Sequence, residues 1–363
     1  MMEKSTTIIR SNLREQRIHE RDERRQEIVN HRRALGELNL SDRIVSATEI
    51  TDLANKLKCK KITLQDMKIL KQALIQSEDN IRAFLNVNGA LHALVREASG
   101  HKTPYKLEAI NCCCNLALGN EKVGMQLTKA FAPYLISQLD CFSHVFLDIC
   151  LWTLGNLAGS GAKPWSILKT QGLLPKILQL IAMGSVVQSA VYALMMYTRT
   201  GITFLEDQEL ESIALESCPL MSTEPTVSWV IYLLSCTEKC DIIMLKNSVV
   251  SKASSLLLEL VRKLASENES NDIVTITALL RIIGNLCGGR EECVEELMQG
   301  VDSQKHMLEL FGTLLSSPYP HLRCESLWVI GNVAKHLCEP EIFLSQLEPS
   351  LSNTLKANIT LNM

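Results

Sequence analysis

Residues 147–161 read LDICLWTLGNLAGSG, and the tetrapeptide within them, Leu154-Gly155-Asn156-Leu157, comes back twice. The copies are Ile283-Gly284-Asn285-Leu286 and Ile330-Gly331-Asn332-Val333, with Cys114-Asn115-Leu116 as a reduced fourth. The asparagines step from 115 to 156, to 285 and to 332, intervals of 41, 129 and 47 residues. The long interval is three times 43, so two divergent copies are expected inside it. Tyr192-Ala193-Leu194-Met195-Met196 and Trp229-Val230-Ile231-Tyr232-Leu233 align with Trp152–Asn156 and fill both places. Self-similarity at this period marks stacked units, none of which can hide its apolar faces alone. Six units result, preceded by a seventh, partial helical unit at about 48–99.

A second feature keeps the same register. Trp152, Trp229 and Trp328, three of the four tryptophans, stand four residues before the Asn position. Residues i and i+4 share a helix face, so each such helix presents an indole beside a carboxamide or its replacement. Connectors recur as well. Gln171-Gly172 before Leu173–Leu178 matches Asn88-Gly89 before Ala90–Leu94, and this connector is read as ending one unit and starting the next. Further breaks fall at Ser99-Gly100, Gly159-Ser160-Gly161, Gly288-Gly289 and Ser317-Pro318. No two-residue alternation occurs between them. Seventeen Gly and ten Pro in 363 residues are few against the ~12% of ordinary chains. The expected fold class is all-α, a right-handed superhelical solenoid over 46–363 with a basic N-terminal helical arm over 1–45.

Charge separates these two parts. The net charge of −3 carries no global nucleic-acid signature. Residues 1–33, however, hold nine Lys/Arg and six Asp/Glu, and the remainder holds 28 and 34. Spacings of three and four set Arg10, Arg14, Arg17, Arg21, Arg24 and Arg25 along one stripe, followed by Arg32 and Arg33. Such an arm is expected to dock on an acidic partner, or else to be a solvated helix or a disordered arm.

Other classes fit poorly. The thirteen cysteines are odd in number, three are consecutive (Cys112, Cys113, Cys114), and none forms a CxxC pair. Buried reduced thiols in a cytoplasmic or nuclear protein are expected, with no metal. No window supplies the ~18 uninterrupted apolar residues of a membrane span. Asp148 interrupts 145–158 and Arg281 interrupts 273–287, so both read as buried helices. No phosphate loop, HExxH or GxSxG is present, so neither an enzyme nor a cofactor is expected.

The motif stretches, 147–161, Thr275–Gly289 (TITALLRIIGNLCGG) and Cys324–Lys335 (CESLWVIGNVAK), resemble the armadillo-repeat family and, within it, importin alpha. Arg281 in place of Trp before Asn285, preceded by a Trp229 unit without its Asn, is similar to two successive importin alpha repeats. The eroded motifs also resemble the divergent transmembrane and coiled-coil domain-containing relatives of importin alpha. The resemblance covers 46–340. It implies a concave groove lined by the third helix of each unit, in which a nuclear-localisation-signal cargo peptide lies extended. It implies peptide contacts from Asn115, Asp148, Trp152, Asn156, Trp229, Asn285, Trp328 and Asn332. It implies an importin-beta-binding role for Arg17, Arg21, Arg24, Arg25, Arg32 and Arg33, in nuclear import.

The chemistry is straightforward. An Asn pairs with a peptide's backbone N–H and C=O, indoles take the methylene stems of Lys or Arg, and carboxylates neutralise the heads. Glu108, Asp148 and Glu325, each one turn or so before its motif, are the expected carboxylates. The rungs are uneven, because Asn111, Tyr192 and Arg281 replace Trp while Met196 and Leu233 replace Asn. Each Asn has a structural alternative, capping a turn or bridging adjacent repeats. Trp165, outside the register, reads as core.

Overall fold

The computed structural model describes residues 44–347 apart from 142, 267–271 and 301–303. Residues 1–43, with all eight arm arginines named above, and residues 348–363 lie outside the described residues. Among the described residues there are helices, turns and no strand.

They fall into two compact units divided after Leu116. The first holds α1 (Ala47–Lys58), α2 (Leu64–Gln76), α3 (Glu78–Asn86), α4 (Ala90–Ala98) and α5 (Thr103–Leu116). The second begins with α6 (Glu121–Gln138), α7 (His144–Gly159), α8 (Ala162–Thr170), α9 (Leu173–Ala182), α10 (Val187–Gly201) and α11 (Asp207–Ser217). It continues with α12 (Ser228–Leu234), α13 (Asp241–Lys246), α14 (Val249–Ser266), α15 (Ile273–Gly289), α16 (Glu291–Gly300), α17 (Gln304–Leu315) and α18 (Pro320–Ala334).

Local chemistry starts and stops these helices. Thr63 and Asp66 form a reciprocal capping box on α2, Ser77 caps α3, and Asn120 accepts from the N–H groups of Lys122 and Val123 to open α6. Gly89 (φ +84°) and Gly172 (φ +75°) take left-handed corners that L side chains resist, directly before α4 and α9. These corners lie between the first and second helices of a unit. The connector therefore does not separate units, as the sequence reading had it; the unit boundary falls earlier, just after each motif. In α6 the corresponding two helices run on as one, with Pro133 inside it. The Trp229 unit is compressed: two short 3-10 turns, Cys218–Ser222 and Pro225–Val227, precede an α12 of only seven residues. Pro219 and Pro225 lack the N–H that a longer helix would need there.

The third helices form the interior. In the first unit α2 packs on α5; in the second, α7 packs on α10, α10 on α12, α12 on α15 and α15 on α18. Second helices cover them from one side: α4 on α5, α9 on α10, α14 on α15 and α17 on α18. A third helix is thus flanked on several sides, and its burial is nearly continuous. Ile276 through Gly284 in α15 and Thr153 through Ala158 in α7 are all buried. That explains why these stretches resembled membrane spans in hydropathy. No helix among the described residues is long and apolar enough to cross a membrane. Cys112, Cys113 and Cys114 belong to the same interior, and no cysteine is in a disulfide.

The motif glycine is a point of contact. A Cβ on Gly155 would lie 3.0 Å from the Tyr192 ring and 3.1 Å from the Ala193 Cα. On Gly284 it would collide with the Trp328 indole at 2.2 Å. The aromatic residue of one unit therefore lies over the glycine of the unit before it. Gly331, in the last copy, meets nothing within 4 Å.

The same substitution should consequently act with opposite signs. Gly155→Ala is expected to lower stability by about 1–3 kcal/mol through overpacking. Gly331→Ala is expected to raise it by about 0.5–1 kcal/mol through helix propensity. Denaturant unfolding of the two variants checks both. Thiol titration of the native chain should give rapid reaction at the exposed Cys59, Cys324 and Cys338, and slower reaction at Cys236, whose thiol is raised by burial. The buried thiols should react only on unfolding, because thiolates form poorly in apolar surroundings. Burial pushes the Cys112 and Cys287 thiols far up, and that of Cys218 to about 12.

Candidate functional site

The register residues stand on the third helices, and their geometry is that of bridges between neighbours. Asn332 Nδ2 donates to the Gly284 carbonyl at 2.7 Å, across from α18 to α15. Asn115 Nδ2 donates to the Lys71 carbonyl at 2.8 Å, across from α5 to α2 within the first unit. Asn285 Nδ2 donates to Ser235 Oγ at 2.8 Å and to Cys236 Sγ at 3.6 Å, since the short α12 ends just before those side chains. Asn156 Oδ1 accepts the Tyr192 hydroxyl at 2.6 Å. The repeat-bridging alternative is thus realised at all four asparagines. An Nδ2 engaged once still has a second hydrogen, so at Asn332, half-buried, a bridge does not exhaust the carboxamide.

The aromatic positions differ from one another. Trp152 stacks on Tyr192 with ring centroids 3.9 Å apart and planes at 30°. Trp229 meets Tyr232 of its own helix edge-on, at 5.6 Å. Trp328, lying over Gly284, remains 42% exposed. Trp165 is core, beside Tyr197 and Phe204. Asn111, in the aromatic place of its unit, spends its Nδ2 on the Leu107 carbonyl of its own helix.

The carboxylates bring a correction. Glu108 and Glu325 were expected to face an incoming cation, yet both are already neutralised. Glu108 pairs with Lys71 at 3.1 Å in the first unit. Glu325 accepts from Arg281 Nε at 2.9 Å and Nη2 at 2.5 Å, and the guanidinium lies 5.4 Å from the Tyr232 ring centre. Of the three, Asp148 differs: it is exposed and accepts from the Ser189 hydroxyl, a neutral donor.

Burial raises the Tyr232 phenol and the Cys236 thiol above their ordinary values, so both stay protonated near neutrality. Neither is an activated nucleophile. Among the described residues no group of His, Cys, Asp and Glu could hold a metal ion. The surface is suited to hydrogen bonding and stacking. Sequence reasoning missed two partners here: Tyr192, treated as a lost Trp, and Lys71, whose helix carries no motif. Tyr192 was findable from its register position. Lys71 had no local signal.

Comparison with known proteins agrees with this plan. No family model matches the chain. Importin subunit alpha-9 of Arabidopsis thaliana is 26% identical over 281 residues, covering 74% of this chain. The chain spans about half of that relative, 52% of its length. Among solved structures, an engineered protein from the Northeast Structural Genomics Consortium aligns with a TM-score of 0.61 at 15% identity. That alignment covers 78% of this chain and 68% of the other. A designed armadillo repeat protein gives a TM-score of 0.43 at 16% identity, over 78% of this chain and 99% of its own. The importin-alpha-like resemblance read from the motifs is borne out as a likeness at modest identity, and the all-α class expected is the one found among the described residues.

The Arg281–Glu325 pair is mostly shielded, with side chains 10% and 18% exposed. Arg281→Ala should cost about 1.5–3 kcal/mol, the range of a hydrogen bond to a charged group. Arg281→Ala/Glu325→Ala should cost less than the two single changes together, because the second removes a carboxylate left without its partner. A double-mutant cycle by chemical denaturation measures the coupling.

Proposed function

We propose that this chain, an importin-alpha-like armadillo-repeat protein, is a non-enzymatic adaptor of nuclear protein import. It binds basic cargo segments along its third helices and importin beta through its arm, and works in both cytoplasm and nucleus. The observation that supports this reading best is the Trp328–Asn332 pair. It combines an exposed indole with a carboxamide that retains hydrogen-bonding capacity, one turn apart on α18. A lysine stem can lie on such an indole while the carboxamide holds the peptide backbone. The relative that matches is an importin subunit alpha, and its sequence likeness extends over most of this chain.

A second reading is supported by the carboxylates. With Glu108 and Glu325 neutralised from within, the inner helices carry little uncompensated negative charge. A scaffold of importin-alpha descent that binds partners without recognising basic signals would have this character.

Titration with a bipartite Lys/Arg-rich peptide separates the two. Under the first reading, the peptide binds and Trp328→Ala or Asn332→Ala weakens it about tenfold, the effect of losing one anchoring contact. Under the second, the wild-type chain shows no measurable affinity and the variants match it. Deleting residues 1–33 should abolish importin beta capture in a pull-down while leaving the thermal unfolding of the helical body unchanged.

A further inference from the structure

Tyr192 occupies the place of an indole and meets the preceding rung in two ways. Its ring lies on Trp152 at contact distance, 3.9 Å between centroids, and its hydroxyl donates to Asn156 Oδ1 at 2.6 Å. One side chain thereby engages both members of one of the two complete Trp/Asn rungs in the sequence. Gly155 makes this possible, since a Cβ there would press on the Tyr192 ring. A methylene stem held between two rings needs about 3.5–4.0 Å from carbon to carbon on each side. Rings already in contact leave no such space.

The remaining member of the rung is Asp148, one turn before Trp152 on α7 and therefore on the same side of the helix. It is exposed, and its partner Ser189 brings no positive charge.

We propose that Tyr192 is the specificity-determining residue of the Trp152–Asn156 rung, filling the slot itself and yielding it only to a long cationic side chain that reaches Asp148. The proposal rests on the peptide-binding reading above. An apolar side chain entering the slot would replace the aromatic stack with a weaker contact and gain nothing at Asp148. A lysine or arginine stacks its stem on Trp152 and places its charge beside the carboxylate, which offsets the lost hydroxyl bond. Tyr192 thus sets a threshold: the rung discriminates by charge and length together.

The test is a titration of the full chain with a fluorescein-labelled Lys-rich peptide and with the same peptide bearing leucine for lysine. Tyr192→Ala should tighten the Lys peptide about tenfold, as expected for removing a stacked ring and its hydrogen bond. Tyr192→Phe keeps the stack and the packing, and should tighten it about threefold through loss of the hydroxyl alone. Tyr192→Ala should also let the leucine peptide bind, narrowing the discrimination. Adding Asp148→Asn to Tyr192→Ala should erase the gain for the Lys peptide. Unchanged or weaker Lys-peptide binding in both Tyr192 variants overturns the proposal. If Trp328→Ala weakens the peptide in the same assay, only the role of Tyr192 has failed and the adaptor reading stands. If no chain binds, Tyr192→Ala included, both have failed.

Discussion

The arrangement depends on the close approach of successive third helices. At two of these crossings the approach is made where one helix presents a glycine to the next. Gly155 and Gly284 supply that surface, and Tyr192 and Trp328 cover it. The tetrapeptide repeat is thus first an interface motif. Its glycine admits the next helix, its Asn ties the helix back, and its flanking aliphatic residues fill the space around both. Repeat arrays obtain their stability from such nearest-neighbour interfaces more than from any unit alone.

Much of this was legible in the sequence because the interface recurs. A glycine–asparagine pair at a period near 40, with tryptophan one turn earlier, cannot be placed in many ways on stacked helices. The helices themselves were legible from periodicity and breakers. The unit boundary was not, because the Asn88-Gly89 and Gln171-Gly172 corners are stronger turn signals than the true boundary just after each motif. A left-handed glycine announces a corner but does not say whether the corner is inside a unit or between two.

The candidate site was legible in position and not in state. Register placed Trp152, Asn156, Asn285, Trp328 and Asn332 on third helices, but said nothing of what the residues do to one another. Asn332, Asn285 and Asn115 each reach to a helix 44 to 50 residues earlier. Glu325 and Glu108 are likewise matched with cations 44 and 37 residues away in the chain. Those pairings depend on how side chains from separate units meet, which a single unit does not encode. Arg281 shows the point well. It is a lost tryptophan in the register, yet it restores an aromatic and a charged contact in one side chain, over Tyr232 and against Glu325.

The lids and hydrogen bonds at the motif positions share a direction, whereas the Lys71–Glu108 and Arg281–Glu325 ion pairs draw a side chain from each partner. Trp328 covers Gly284 and Asn332 donates to its carbonyl; Asn285 reaches back to Ser235; Tyr192 covers Gly155 and donates to Asn156. In each case the later unit supplies the reaching side chain and the earlier one the surface. The array is therefore not equivalent when read from its two ends. Pulled from the carboxyl side, it surrenders lids and tethers first and leaves bare glycines behind. Pulled from the amino side, it surrenders at the motif positions the receiving surfaces, and the freed side chains are left to find water. Unravelling under force should on that account follow different paths from the two ends, a mechanical handedness that the repeat acquires from one glycine.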